Sequence, residues 1–120
     1  KKSGKVNRPW LGMVGRNILS KQEIEDLSFS SPSVYGVIVE NLIINGPAYK
    51  SDLRIGDLIM ELNTEKIFDL NKLQRMIINL KINDNISLKL YRRGQGVIKK
   101  KLILKSSPSV RDLPQSVNVF

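Results

Sequence analysis

The side chains that carry most enzyme chemistry are missing or scattered in this chain. It has no histidine and no cysteine. A Ser-His-Asp triad, a thiol nucleophile, a disulfide framework and an imidazole or thiolate metal site are therefore excluded within these residues. The carboxylates are spread along the chain. Glu23 and Asp69 stand where helices begin, and Asp57 and Asp84 where turns fall. Asp52, Asp57 and Glu61 have no calcium-loop spacing and no acid/base pairing pattern. The serines Ser28, Ser30, Ser31 and Ser33 have no base beside them, and no S-x-x-K context is present. Gly12 and Gly15 are too close for a dinucleotide fingerprint, and Asn45-Gly46-Pro47 is not a phosphate loop. No catalytic residue, no metal ligand and no cofactor are expected.

One stretch points to binding chemistry: Pro9-Trp10-Leu11-Gly12-Met13. A glycine between two large apolar residues at a strand's mouth has a plain reading, a β-bulge or a close backbone contact. It has a second reading. Successive backbone N–H groups around a glycine can converge on one point and hold a carboxylate. If the strand that follows is an edge, its free N–H and C=O groups can pair with an extended peptide.

The elements that would position this stretch follow from pattern. Residues 1–9 are polar and read as a linker, and 11–19 as a strand with an unusual entry. Ser20 and Glu23 form a capping box, so 21–28 is expected to be a short helix. Residues 35–44 are rich in β-branched side chains and read as a strand. Pro47 suits the first turn of a short helix over 48–53. Residues 58–62 form a strand, 63–66 a tight turn, and Ile67 opens a very short strand. Asp69 caps a helix over 70–80, where Leu70, Leu73, Ile77 and Leu80 recur at helical spacing. Residues 86–92 and 97–104 flank Arg93-Gly94-Gln95-Gly96 as a hairpin. The rest reads as a tail. The expected fold is α+β: a small, partly open β-barrel or sandwich of five to six strands, capped by one main helix and one or two short ones.

The chain of 120 residues has a net charge of +9. The excess gathers in Lys1, Lys2, Lys5 and Arg8 and around the hairpin, in Arg92, Arg93, Lys99, Lys100, Lys101 and Lys105. No aromatic interleaves with these clusters, so a base-stacking platform is not expected. They read as a linker and a solvated strand face. No stretch approaches the roughly 18 apolar residues of a membrane span. The absence of an initiator Met leads us to expect a piece of a longer protein.

Several motifs then fall in order: Gly36-Val37-Ile38-Val39, Gly46-Pro47-Ala48, and Leu53-Arg54-Ile55-Gly56-Asp57-Leu58-Ile59. Together they resemble the core signature of bacterial-type PDZ domains. The branch most similar is the PDZ module of HtrA/Deg trypsin-like serine proteases, whose joining run reads here Gly4-Lys5-Val6-Asn7-Arg8-Pro9-Trp10-Leu11-Gly12. The resemblance covers about residues 4–104. Asp52 and Thr64 stand where the family favours glycine, and Ile82-Asn83-Asp84 where it favours P-G-D.

The resemblance implies a domain over 10–105, with a linker before it and a tail over 106–120. It implies that the backbone N–H groups of Leu11, Gly12 and Met13 bind a C-terminal carboxylate. Leu11 and Met13 would line the pocket for the terminal side chain. Met13–Asn17, with Val14, Gly15 and Arg16 at its centre, would pair with the peptide. Leu70, Gln74, Ile77 and Ile78 would form the opposite wall, with Leu73 and Leu80 in the core and Trp10 a packing anchor. Arg8 is either an added charge near the carboxylate or an exposed linker residue. Implied partners are C-terminal peptides of unfolded or envelope proteins and a protease domain of the same chain. Nucleic acid is not implied, and a homo-oligomer would form through the protease domain. The implied compartment is periplasmic or otherwise extracytoplasmic. Rival readings are a PDZ module of another protease class or of a secretion scaffold, and a basic nucleic-acid or membrane-surface binder. The chain ends Ser116-Val117-Asn118-Val119-Phe120, and such a tail could dock in its own groove or a neighbour's.

Overall fold

The computed structural model describes residues 9–18, 22 and 35–106. The expected linker over 1–9 apart from Pro9, the tail over 106–120 apart from Ser106, and the helix over 21–28 apart from Gln22 lie outside the described residues, Arg8 and Phe120 among them; Pro9 and Ser106 are instead paired with each other in short strands. In chain order the elements are β1 (Pro9–Trp10), β2 (Met13–Arg16), β3 (Val37–Leu42), α1 (Pro47–Lys50), β4 (Leu58–Leu62), β5 (Glu65–Lys66), α2 (Leu70–Ile78), β6 (Asn85–Arg92), β7 (Gly96–Ile103) and β8 (Lys105–Ser106). The main sheet runs β2-β3-β4-β6-β7, with β5 paired to β4, and β1 pairs with β8 in a separate two-stranded ladder. All pairings are antiparallel. Among the described residues the sheet is open, with β2 and β7 at its two ends.

Alternation along the strands explains the layers. On β6, Ile86, Leu88 and Leu90 are buried in the main core, and Tyr91 turns to the other face. There it meets Leu58 and Met60 in a second, smaller cluster. On β4 a register shift between Ile59 and Glu61 leaves Met60 as the extra residue. This bulge re-phases the strand, so Ile59 and Leu62, three positions apart, both reach the main core while Glu61 does not. On β7, Lys99 and Lys101 are exposed. The hairpin lysines thus form the solvated face expected of them, and charge on an edge strand also deters unwanted pairing.

Arg92 is a correction to that picture. Counted among the solvated cations, it is instead only 6% exposed. Its Nε and Nη2 donate to Asp57 Oδ1 and Oδ2 at 2.9 and 2.8 Å, and Nη2 also donates to the Asp52 carbonyl at 2.8 Å. The hydrogen bond to Asp57 raises the Arg92 pKa above its ordinary value, against the opposing effect of burial. Asp57 is also more than a turn residue, since Oδ2 accepts from Arg54 N–H at 2.9 Å. One carboxylate therefore fixes the entry to β4 and the end of β6 together.

The turns differ from expectation in informative ways. Asn63 and Thr64 both have positive φ, +51° and +70°, so Thr64 takes the conformation its β-branch disfavours. Asn63 is held by β6, donating to the Ser87 carbonyl and accepting from Ser87 N–H through Oδ1. The very short strand falls at Glu65–Lys66 rather than at Ile67, which is buried and donates to the Met60 carbonyl. Asp52 takes φ +65° in the place of a glycine. Its carboxylate lies 3.4 Å from both Arg54 and Lys100, and the bond to Arg54 chiefly lowers its pKa. Those contacts give the non-glycine residue a reason to be there.

The buried pair yields a test. Arg92→Met leaves the Asp57 carboxylate in the interior without its guanidinium. We expect unfolding free energy in urea to fall by about 3–5 kcal/mol. Lys101→Ala on the same hairpin should stay within about 0.5 kcal/mol. Equal losses would show that Arg92 is an ordinary surface cation.

Candidate peptide-binding site

The segment from Trp10 to Met13 is held by its carbonyls. Leu11 C=O accepts from Ala48 N–H and Gly12 C=O from Ile43 N–H, each at 2.9 Å. The first bond satisfies one of the free donors at the start of α1. Gly12 has φ +77°, and a Cβ on it would lie 3.2 Å from Gly46 Cα and 3.3 Å from the Trp10 ring. Trp10 is buried, and among the described residues its indole Nε1 has no hydrogen-bond partner. The ring therefore acts as a packing surface over the two glycines, the anchor role expected of it. The plain reading of Gly12, close backbone contact, is realised here. The bulge lies further on and in β3, where Glu40 is the extra residue opposite the step from Val14 to Gly15.

With both carbonyls turned inward, the N–H groups are left on the other side. Among the described residues no backbone carbonyl accepts from Leu11 or Gly12 N–H. Met13 pairs with Leu42, and the neighbouring Gly12–Ile43 bond makes this a non-hydrogen-bonded pair. Met13 N–H and C=O thus point away from β3, toward the open edge of the sheet. Three successive residues offer donors next to an unpaired strand edge.

Helix α2 lies along that edge. Asp69 Oδ1 caps it by accepting from Lys72 N–H at 2.8 Å, as the sequence predicts. The helix ends at Ile78 rather than at residue 80. Its first residue, Leu70, donates its N–H to Asn17 Oδ1 at 2.7 Å, just past the end of β2. The helix also packs near β1, beyond the other end of β2. Leu73 is in the core as expected, and Leu80 is partly buried against it. Of the expected wall, Leu70 and Gln74 are half-buried, Ile77 is buried in the main core, and Ile78 is 64% exposed. On the strand side, Leu11 and Met13 are fully shielded and belong to the core, Val14 and Gly15 are buried, and Arg16 is half-buried with Glu40 at 3.7 Å.

The sequence places Asn17 at the end of the strand expected to pair with a peptide, but its bond to α2 escaped that reading. Its partner lies 53 positions away, and nothing local marks it. The inward bonds from Ile43 and Ala48 are equally invisible until the chain is folded. A cavity of about 540 Å³ opens elsewhere, lined in part by Ile38, Leu58 and Tyr91 on the sheet's other face. Its Arg54 and Arg92 are engaged by Asp52 and Asp57. Among the described residues no cluster of three or more acidic side chains could hold a metal ion, and no helix is long and apolar enough to cross a membrane.

This arrangement of edge strand, glycine turn and flanking helix has many relatives. The PDZ domain family model matches residues 12–101, and this chain belongs to that family. It is 34% identical over 95 residues to a protein of Pseudomonas putida named a probable periplasmic serine endoprotease DegP-like, covering 79% of this chain and 19% of the relative. A protein of the same name from Rickettsia prowazekii is also 34% identical over 95 residues, with 79% and 18% covered. The chain thus spans about a fifth of the length of the curated relatives it matches. Among solved structures, the HtrA-type protease AlgW with decapeptide superposes with a TM-score of 0.73 at 24% identity, covering 88% of this chain and 31% of that one. The HtrA3 PDZ domain bound to a phage-derived ligand superposes with a TM-score of 0.68 at 18% identity, covering 85% and 89%. The last two likenesses speak to fold, which is the expected α+β architecture with an open sheet.

The glycine contact can be tested directly. Gly12→Ala meets both left-handed strain and the Gly46 backbone, whereas Gly94→Ala, at φ +87° with open space around it, meets strain alone. We expect Gly94→Ala to cost about 1 kcal/mol and Gly12→Ala about 2 kcal/mol or more in chemical denaturation. Equal costs would remove the close approach from the account.

Proposed function

We propose that this chain is the peptide-capturing PDZ module of an HtrA/DegP-like serine endoprotease. The observation that carries this is the orientation of the backbone at residues 11–13. The carbonyls of Leu11 and Gly12 are bonded inward, which turns the N–H groups of Gly12 and Met13 outward, and among the described residues no backbone carbonyl accepts from Leu11 N–H, so three donors are left for an anion beside the edge of β2. A C-terminal carboxylate placed there leaves its chain free to add a strand along Met13–Arg16. Main-chain pairing is tolerant of sequence, and selection falls on the terminal side chain. Leu11, Met13 and Ile77 would surround it. All three are shielded, so binding requires α2 to ease away from β2, and part of the contact energy goes into that movement. The surface engaged is small, and affinity in the micromolar range is the expectation.

The names of the relatives and the two peptide-bound neighbours support the assignment to a protease of this kind. In such a protein the module would deliver unfolded or cleaved chains, each marked by one free carboxylate, to a protease domain or switch that domain on. The relatives' names also support a periplasmic location.

The test is a peptide titration followed at the Gly12 amide by NMR. A free-acid peptide ending in Phe or Val should bind, and its C-terminal amide should lose at least about tenfold, given the strength of hydrogen bonds to a charged acceptor. Equal binding of acid and amide would refute the carboxylate role. Steeply salt-dependent binding to nucleic acid in place of peptide would favour the basic-surface reading.

A further inference from the structure

Strand β7 ends the main sheet on the side far from the groove, and among the described residues it pairs on one side alone, with β6. The direction of its free groups follows from β6. Ser87 donates its N–H to Asn63 Oδ1 at 2.9 Å, and its carbonyl accepts from Asn63 N–H at 2.8 Å, on the side of β6 turned toward β4. Ser87 stands opposite Lys101 in the ladder, so this is a non-hydrogen-bonded pair. The same phase makes Tyr91–Val97, Lys89–Lys99 and Asn85–Ile103 non-hydrogen-bonded pairs as well. The alternate residues bond inward, as Leu104 N–H does to the Asp84 carbonyl just past the strand's end. The N–H and C=O groups of Val97, Lys99, Lys101 and Ile103 therefore point away from β6, as an open ladder edge roughly 20 Å long.

The side chains of those four residues share one face of the sheet. Lys89 on that face is held by Glu61 at 3.5 Å, and Lys100 on the opposite face by Asp52 at 3.4 Å. Lys99 and Lys101 are exposed, and among the described residues neither forms an ion pair. Lys99 stands directly opposite Lys89, in the kind of pair whose side chains lie closest, and like charges so placed repel. Val97 and Ile103, each 43% exposed, close the row at its two ends. A second copy of this chain pairing here would bring lysines against lysines, so self-association at this edge is opposed. A strand that carries carboxylates meets the row with the opposite charge.

We propose that β7 is a second docking edge, separate from the groove, that takes an extended acidic segment of another protein as an added antiparallel strand. Antiparallel pairing is that of the whole sheet. The two residues of the segment hydrogen-bonded to Lys99 and Lys101 place their side chains on the lysine face, with Cβ atoms about 5 Å from those of the lysines. Carboxylates there neutralise both ammonium groups and relieve the repulsion from Lys89. Two residues further out at each end, an apolar side chain covers Val97 or Ile103. The ligand class is thus a stretch of about seven residues that are apolar, any, acidic, any, acidic, any, apolar in order. It needs no free C-terminus, so the proposal stands apart from the carboxylate reading above.

The test uses the full chain and peptides of that pattern blocked at both ends, which offer no terminal carboxylate to residues 11–13. The peptide with two glutamates should shift the amides of Val97, Lys99, Lys101 and Ile103 in NMR and slow their hydrogen exchange, while Gly12 stays unmoved. Lysines in place of the glutamates should weaken binding at least about tenfold, since like charges then face each other. N-methylation of the two glutamates removes two ladder hydrogen bonds and should cost at least about fivefold, whereas attraction between charges alone would leave affinity unchanged. Joint reversal of the two exposed lysines, Lys99→Glu with Lys101→Glu, should exchange the preference, so that the lysine peptide binds better than the glutamate one. Failure of the glutamate peptide to bind, equal binding of its N-methylated form, or binding undiminished by the reversal would each overturn the proposal. A response of the β7 amides to vesicles of anionic lipid but to no peptide would also overturn it, and would assign the face to a membrane surface instead.

Discussion

The approach of Gly12 to Gly46 governs the rest of the site. Two backbones meet where neither carries a side chain, and the Trp10 ring covers the contact. Only at that distance can Leu11 and Gly12 turn their carbonyls onto Ala48 and Ile43. A backbone that spends its acceptors inward must present its donors outward, since the two are attached to opposite sides of the peptide units. The donor face is therefore a by-product of how the loop is anchored. No charged side chain has to be held in place to make it. The same anchoring sets the register of β2 on β3 and leaves Met13 facing the free edge.

The ionic structure serves a different end. Asp57 and Arg92 satisfy one another in the interior while Asp57 also accepts from Arg54 N–H and Arg92 donates to the Asp52 carbonyl. Such a pair is weak evidence of net stabilisation, because taking both charges out of water offsets their attraction. Its value is registration: it ties the loop before β4 to the last residue of β6. The positive φ of Asp52 fits this arrangement, because its carbonyl must face the guanidinium while its carboxylate faces Arg54 and Lys100. Among the described residues the positive charge is densest on the hairpin of β6 and β7.

Much of this was legible beforehand, for reasons that can be given residue by residue. Helix α2 carried its apolar spacing and its Asp69 cap in sequence, and β6 and β7 carried a glycine-marked turn between alternating strands. Gly12 between Leu11 and Met13 marked the binding loop because its neighbours are apolar where a turn would ordinarily be polar. What escaped notice depends on contacts between distant positions. Arg92 looks like its neighbour Arg93 until β4 brings Asp57 beneath it. Asn17 looks like any polar residue after a strand until α2 brings Leu70 beside it. Ile77 was expected on the wall beside β2, and it is buried there against the core, because a helix of nine residues packed along one strand turns the same face to both. Thr64 adopts a turn its own preference opposes, because Asn63 is fixed to β6 from both sides.

The two ends of the groove differ in kind. At one end the donors belong to the backbone, so substitution of side chains there leaves them in place. At the other end a single amide side chain, that of Asn17, ties the end of β2 to the first turn of α2. The half-buried Gln74 lies between these ends, one helical turn from Leu70. Its amide offers both a donor and acceptor to whatever chain lies along β2. A polar group there can partner a backbone N–H or C=O that a hydrocarbon in its place would leave unsatisfied.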